Sequence, residues 1–190
     1  MRIVEEGIGV LSEYGAIPIS FEVKTKLDVQ VLNGGLGGVI FSEQTLTIPY
    51  VKDYDGLNGE GPARWAKRWD IRNWTVLSAF VDDRRVGGCA IAFDTKGVTM
   101  LEDRNDLAVL WDLRVHPDFR RTGIGERLFG AAAAWATNRG CRYLKVETQN
   151  NNVPACRFYA KQGCVLGALN RFAYEEFPDE VELIWYKELR

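Results

Sequence analysis

The clearest alternation of apolar and polar positions runs from Phe21 to Val31. Phe21, Val23, Thr25, Leu27, Val29 and Val31 fall on one side, and Glu22, Lys24, Lys26, Asp28 and Gln30 on the other. A period of two predicts a half-buried strand. Asn33 to Gly38 reads as a glycine-rich turn, and Val39 to Ile48 as a second β-like segment whose pattern drifts. From Pro49 to Arg64 the residues turn to Gly and Asp with two tyrosines, which predicts a surface loop beside a site. Pro62 opens a short helix that places Trp65 and Trp69 on one face, a spacing that suits core packing. Trp74 to Val81 and Arg85 to Phe93, joined by Asp82, Asp83 and Arg84, predict an antiparallel hairpin.

The second half of the chain alternates strand and helix. A strand over Ala108 to Val115 leads through HPDFRRT into a helix over Gly125 to Asn138, closed by Gly140. Tyr143 to Thr148 reads as the next strand. Asn152 then suits an N-cap and Pro154 an early position of a second helix, which ends at Gln162 before Gly163 and carries Ala155, Phe158 and Tyr159 on one face. Ala168 to Tyr174 and Val181 to Tyr186 are β-like and are separated by an acidic turn. Together these elements predict an α+β protein, a mixed α/β sheet with flanking helices.

Composition narrows the function. With 190 residues, 46% of them apolar, the chain suits one domain with its own core. A net charge of −2 speaks against nucleic acid, whose phosphates require a concentrated basic surface. No apolar run approaches the roughly 20 residues that cross a bilayer, so no membrane partner and a cytoplasmic location are expected. Four cysteines form no C-x-x-C pair and His116 is the single histidine, which leaves neither a metal site nor a Cys–His nucleophile.

The strongest chemical signal lies where the strand ends and the helix begins. Arg120, Arg121, Thr122, Gly123, Ile124 and Gly125 sit where several main-chain N–H groups converge at a helix start, a place that attracts an anion. The triphosphate loop is excluded because Glu126 and Arg127, not Lys and Ser or Thr, follow Gly125. The dinucleotide fingerprint fails because Leu128 stands where it needs a small residue. What remains, R-x-x-G-x-G, resembles the acyl-CoA pyrophosphate loop of the GNAT (Gcn5-related N-acetyltransferase) superfamily. One helix and one strand later, Asn152, Ala155, Tyr159 and Gly163 match the superfamily's N-x-x-A-x-x-x-Y and following Gly.

This resemblance implies a mostly antiparallel sheet that splays at the cofactor site, and acetyl-CoA as co-substrate. It implies that Leu113, Arg114 and Val115 line the pantetheine, with the N–H near Val115 polarising the thioester carbonyl. Arg120 to Glu126 (Arg120, Arg121, Thr122, Gly123, Ile124, Gly125 and Glu126) would take the pyrophosphate, and Asn152, Ala155, Phe158 and Tyr159 would complete the cofactor side. Tyr159 would return a proton to the departing thiolate. By the same resemblance a homodimer through the C-terminal strands is expected.

Blocks outside the cofactor motifs, IPYVKDYDG (48–56), LKVETQNNNVPACRFY (144–159), RFAY (171–174) and LIWYKEL (183–189), are similar to the streptothricin acetyltransferases. That branch acetylates the β-lysine amine of a cationic antibiotic by direct attack in a ternary complex. Here Trp111 precedes Asp112 where an acidic residue can stand, and Cys164 replaces Phe after Gly163. Any such reaction needs a neutral amine, and an alkylammonium of pKa near 10 is neutral in about one molecule in a thousand at pH 7. Two carboxylates qualify as base, Asp112 before the loop and Glu147 after it, with Glu147, acting directly or through a water, slightly favoured; each also has a purely structural reading. Tyr50, Asp53, Tyr54, Asp55, Trp111 and Glu147, with Glu60, are the candidate contacts to a cationic amine, and Glu175, Glu176, Asp179, Glu180 and Glu182 form a second acidic group. Another polyamine-like or protein amine, or CoA binding without turnover, are the alternatives.

Overall fold

The computed structural model describes residues 1–57 and 61–189. Nine strands and four α-helices alternate along them. In chain order they are β1 (Arg2–Glu6), α1 (Leu11–Gly15), β2 (Phe21–Val31), β3 (Val39–Lys52), α2 (Trp65–Arg68), β4 (Thr75–Val81), β5 (Arg84–Phe93) and β6 (Leu107–Val115). They continue with α3 (Ile124–Asn138), β7 (Tyr143–Gln149), α4 (Val153–Lys161), β8 (Val165–Asn170) and β9 (Glu182–Glu188). The chain packs as two units, neither continuous in sequence: residues 1–20, 53–146 and from 187 onward, and residues 21–52 with 147–186.

In the first unit the strand order is β1-β4-β5-β6-β7. Neighbours are antiparallel except β6 and β7, which run parallel. The β4–β5 hairpin turns on Asp82 and Asp83, both at positive φ (47° and 61°), the conformation a two-residue hairpin loop requires. Arg84 therefore opens the strand and is not part of the turn. Helix α3 buries Ile124, Leu128, Phe129, Ala132, Trp135 and Ala136, one face of a 3.6-residue period. A core of Leu11, Tyr14, Ile17, Trp65, Ile71, Trp74, Val76, Ala90 and Val109 holds the unit, with Trp69 and Trp111 packed against it. Tyr14 lies so close over Gly88 that a Cβ there would come within 2.8 Å of the ring.

In the second unit β7 leads to β9 and β8, and β2 pairs with β3 in a separate two-stranded sheet. The β2–β3 register slips between Val23 and Thr25, so Leu46, Thr47, Ile48 and Pro49 bulge opposite Lys24. Val29, Cys156, Val181 and Leu183 form the core of this unit. Helix α4 is capped by Asn152, whose Oδ1 accepts from Ala155 N at 3.2 Å, and Arg157 on its outer side pairs with Glu43.

Several sequence-based boundaries are corrected. Pro49 to Lys52 belongs to β3, with Tyr50 opposite Val23 and Lys52 opposite Phe21; Pro49 is tolerated because it sits in the bulge, where no ladder bond is lost. Trp69 is extended (φ −133°), so α2 ends at Arg68. Strand β8 stops at Asn170, whose Oδ1 accepts from Phe172 N at 2.9 Å and turns the chain, leaving 171–174 outside the sheet. The buried stripe of α4 is Val153, Cys156 and Tyr159, with Ala155 and Phe158 half-buried beside it. Strand β1 and helix α1, each five residues, carry too short a pattern to register in the sequence. No helix among the described residues is long and apolar enough to cross a membrane.

Candidate active site

Strand β6 organises the candidate residues of the first unit. Its pairing with β5 slips between Ala90 and Ile91, so Trp111 is the extra residue of a bulge. Trp111 packs on Trp69 and Trp74 with ring centroids 5.0 and 5.1 Å away, and Asp112 turns into a buried polar network. Asp112 Oδ1 accepts from the Tyr14 hydroxyl at 2.7 Å and from Arg114 Nε at 3.1 Å, while Oδ2 accepts from Arg114 Nη2. Arg114, 2% exposed, also donates to Ile17 O at 3.0 Å and to both oxygens of Asp55 at 2.8 and 3.1 Å. Burial, and then the Asp112 charge, push the Tyr14 hydroxyl well above its usual range, so it remains a donor.

Both oxygens of Asp112 are thus occupied and its side chain is 6% exposed. Breaking a buried pair leaves an uncompensated charge, at about 3–5 kcal/mol. Asp112→Asn, which leaves Arg114 with Asp55 alone, is expected to lower the melting temperature by several degrees and to retain most of the turnover of the protein that stays folded. Thermal denaturation beside steady-state kinetics checks this. Loss of turnover at unchanged melting temperature would return Asp112 to the chemistry.

The edge of β6 is the second feature. His116 N donates to Val86 O at 2.8 Å, so by the alternation of an antiparallel ladder Arg114 and Asp112 bond toward β5, and Leu113 and Val115 turn their main-chain groups to the opposite edge. Strand β7 covers that edge only at Leu107, Ala108 and Val109, opposite Tyr143, Leu144 and Lys145. Beyond Val109 the edge has no strand partner among the described residues. Val115 O is taken by Arg120 Nε at 3.0 Å, while Leu113 and the Val115 N–H are left on the open edge.

The loop after β6 presents its amides. Phe119 N and Arg120 N close a tight turn on His116 O and Pro117 O, and Arg127 N makes the first α-helical bond to Gly123 O. Between them the N–H groups of Arg121, Thr122, Gly123, Ile124, Gly125 and Glu126 meet no acceptor among the described residues. Arg121 and Gly123 reach this shape at φ 65° and 87°, and no described residue beyond the helix start lies within 4 Å of where a Gly123 Cβ would stand. The Arg120 guanidinium faces inward, donating to Val115 O, Pro18 O and Ser20 O and bracing the loop. Arg121, Thr122 and Glu126 are exposed, and Ile124 is the buried anchor of the helix start. The row of unpartnered amides around a position without a side chain fits a diphosphate.

The second unit holds the other carboxylate. Glu147, half-buried on β7, takes at one oxygen, Oε1, the Tyr174 hydroxyl at 2.5 Å and Gln149 Nε2 at 3.1 Å. Its Oε2 has no partner among the described residues. Burial, followed by the Glu147 charge, drives the Tyr174 hydroxyl far above its usual range, so it too stays a donor. Three successive asparagines divide the labour that follows. Asn150 joins Leu27 to Val181, Asn151 Nδ2 donates to the Tyr50 hydroxyl at 3.0 Å, and Asn152 caps α4. Tyr159 is 7% exposed and packs edge-on to Phe158.

Among the candidate substrate contacts, Asp53 is exposed and accepts from Asp55 N at 3.2 Å, Tyr54 is half-buried, and Asp55 is drawn onto Arg114. Tyr50 is 43% exposed on β3. Glu60 lies outside the described residues. Nothing local in the sequence marks Tyr174 as a site residue; its one signal is membership of the RFAY block. No group of three or more His, Cys, Asp or Glu able to hold a metal occurs among the described residues.

The profile of the Acetyltransferase (GNAT) family matches residues 47–164, which span β6, the amide loop, α3, β7 and α4. The chain belongs to this family. It is an acetyl-CoA-dependent N-acetyltransferase of the GNAT fold, and its relatives extend the likeness beyond the matched segment. Streptothricin acetyltransferase A of Bacillus subtilis (strain 168) is 37% identical over 77% of this chain and 78% of its own length. Streptothricin acetyltransferase of Escherichia coli is 31% identical over 87% and 84%. A crystal structure from Bacillus anthracis str. Ames, in complex with acetyl coenzyme A, superposes with a TM-score of 0.75 at 25% identity, covering 98% of both chains. The GNAT loop and the N-x-x-A-x-x-x-Y segment both fall inside the matched residues.

Proposed function

We propose that this GNAT acetyltransferase, acting as one domain, acetylates the β-lysine amine of streptothricin and so inactivates the antibiotic. What supports the substrate is the likeness to two streptothricin acetyltransferases over 77% and 87% of the chain, together with the resemblance carried by the blocks at 48–56, 171–174 and 183–189, outside the cofactor motifs. What supports the chemistry is the contrast between the two carboxylates. Asp112 has both oxygens engaged and is buried, whereas Glu147 is held at Oε1 and its Oε2 has no partner among the described residues.

Acetyl-CoA supplies the acetyl thioester. The amides of residues 121–126, which have no acceptor among the described residues, hold its diphosphate, Gly123 keeping the approach open, and Leu113 and Val115 bond along the pantetheine. The Val115 N–H donates to the carbonyl oxygen as charge gathers there. Deprotonating the ammonium at pH 7 costs about 4 kcal/mol unaided. Glu147 Oε2 accepts that proton, directly or through one water, as the amine nitrogen attacks the carbonyl carbon and the C–S bond breaks. Tyr159 gives the departing sulfur its proton, and Asp53, Tyr54 and Tyr50 face the cationic acceptor.

Free-thiol release from acetyl-CoA, followed with streptothricin, spermidine or a lysine peptide as acceptor, tests the substrate. Rapid release with streptothricin alone is expected. Equal release with spermidine or the peptide would replace the substrate, and no release despite CoA binding would leave a binding protein. Tyr159→Phe is expected to lower kcat about tenfold to a hundredfold, with acetyl-CoA affinity unchanged. Calorimetry beside the thiol assay measures both, and unchanged turnover would remove this role from Tyr159.

A further inference from the structure

The segment between β8 and β9, residues 171–181, carries Tyr174, and three contacts within the second unit pin it. At its start the Tyr174 hydroxyl donates to Glu147 and accepts from Gln149 Nε2 at 2.8 Å. At its end Val181 is gripped by Asn150, whose Oδ1 accepts from Val181 N while Asn150 N donates to Val181 O. Between them Glu180 meets Lys52, the last residue of β3, with Nζ 2.5 Å from Oε1. Both side chains of this pair are nearly inaccessible, 7% and 12% exposed, and the Lys52 ammonium also sits 4.1 Å from the Phe177 ring centroid. Tight turns from Phe177 N to Tyr174 O and from Glu180 N to Phe177 O link these anchors into one stiff piece.

A buried ion pair is weak evidence for stability, because its desolvation cost rivals its attraction; its better-attested use is to select one arrangement among several. Here the arrangement selected is the one that brings the Tyr174 hydroxyl to Glu147 Oε1. We propose that Lys52 and Glu180 are positioning residues for the acetyl transfer. They lock the Tyr174 segment so that one carboxylate oxygen of Glu147 is tied and the other is aimed at the amine. The proposal rests on Glu147 being the base.

A double-mutant cycle on the full chain tests it, with kcat and KM measured well below every variant's melting temperature. Lys52→Met alone is expected to lower kcat about tenfold, in keeping with the cost of misplacing a reacting group, and to leave the KM for acetyl-CoA unchanged. In a Tyr174→Phe background, Lys52→Met is expected to add nothing further, because its effect passes through the tyrosine. Where Lys52→Met yields too little folded protein, Lys52→Met/Glu180→Leu removes both charges, leaves neither buried alone, and is held to the same two results. Unchanged kcat with a lowered melting temperature, or losses that multiply independently in the two backgrounds, would overturn the proposal. Glu147→Gln is run in parallel. If it keeps wild-type kcat, the base assignment fails on its own account, whatever the cycle shows.

Discussion

Glu147→Gln lowers kcat for amine acetylation by about a hundredfold or more at neutral pH, while acetyl-CoA binds as it does to the parent protein. The expectation follows from what the substitution keeps and what it removes. Glutamine has the same shape, so the Tyr174 hydroxyl can still donate to its amide oxygen at the position of Oε1. The second oxygen, which has no partner among the described residues, becomes an NH2 that cannot take a proton. The reaction must then draw on the small neutral fraction of the amine, about one molecule in a thousand for an alkylamine at pH 7. Raising the pH should accordingly recover part of the lost rate in the variant. A stopped thiol assay across pH beside calorimetric titration with acetyl-CoA measures both halves. Full activity at neutral pH would place the proton acceptor elsewhere.

Gly123→Val acts at the other end of the reaction and should raise the Kd for acetyl-CoA by at least about tenfold. Two effects work in the same direction. Gly123 lies at φ 87°, a region that β-branched residues adopt at a cost of about 1–3 kcal/mol. No described residue outside the helix start comes within 4 Å of where its Cβ would stand, and the amides of residues 121–126 meet no acceptor among the described residues. A side chain there would either deform the helix start or cover the amides, and a diphosphate loses its donors in both cases. Because the position is exposed and a Cβ there would meet no described residue beyond its own turn, the melting temperature should fall only by the backbone strain. Calorimetry with CoA and a thermal melt separate the two, and unchanged affinity would remove the loop from cofactor binding.

How much of this was legible in the sequence depends on the range of the interaction. The loop and α4 were readable because helix starts announce themselves locally: Gly123 for its backbone conformation, Asn152 as a side-chain cap, Pro154 within the first turn. The β4–β5 hairpin was readable for the same reason, two strands joined by adjacent aspartates. Glu147 is only slightly favoured over Asp112 on the sequence, because what distinguishes them is long-range. The partners that occupy Asp112 are Tyr14 and Arg114, and Tyr14 lies 98 residues away on a helix too short to show a period. Tyr174, which holds Glu147, is 27 residues distant beyond the end of β8. Asp55 looked like a substrate contact because acidic loop residues are usually free; its bidentate bond to a buried arginine 59 residues on has no local signature.

Main-chain donors between Arg121 and Glu126 are proposed to hold the diphosphate of acetyl-CoA, and amide spectra observe those donors one by one. Titrating the 15N-labelled protein with CoA should shift the resonances of Arg121, Thr122, Gly123, Ile124, Gly125 and Glu126 in parallel and to saturation. Resonances of those six residues that stay in place while others move would contradict the account.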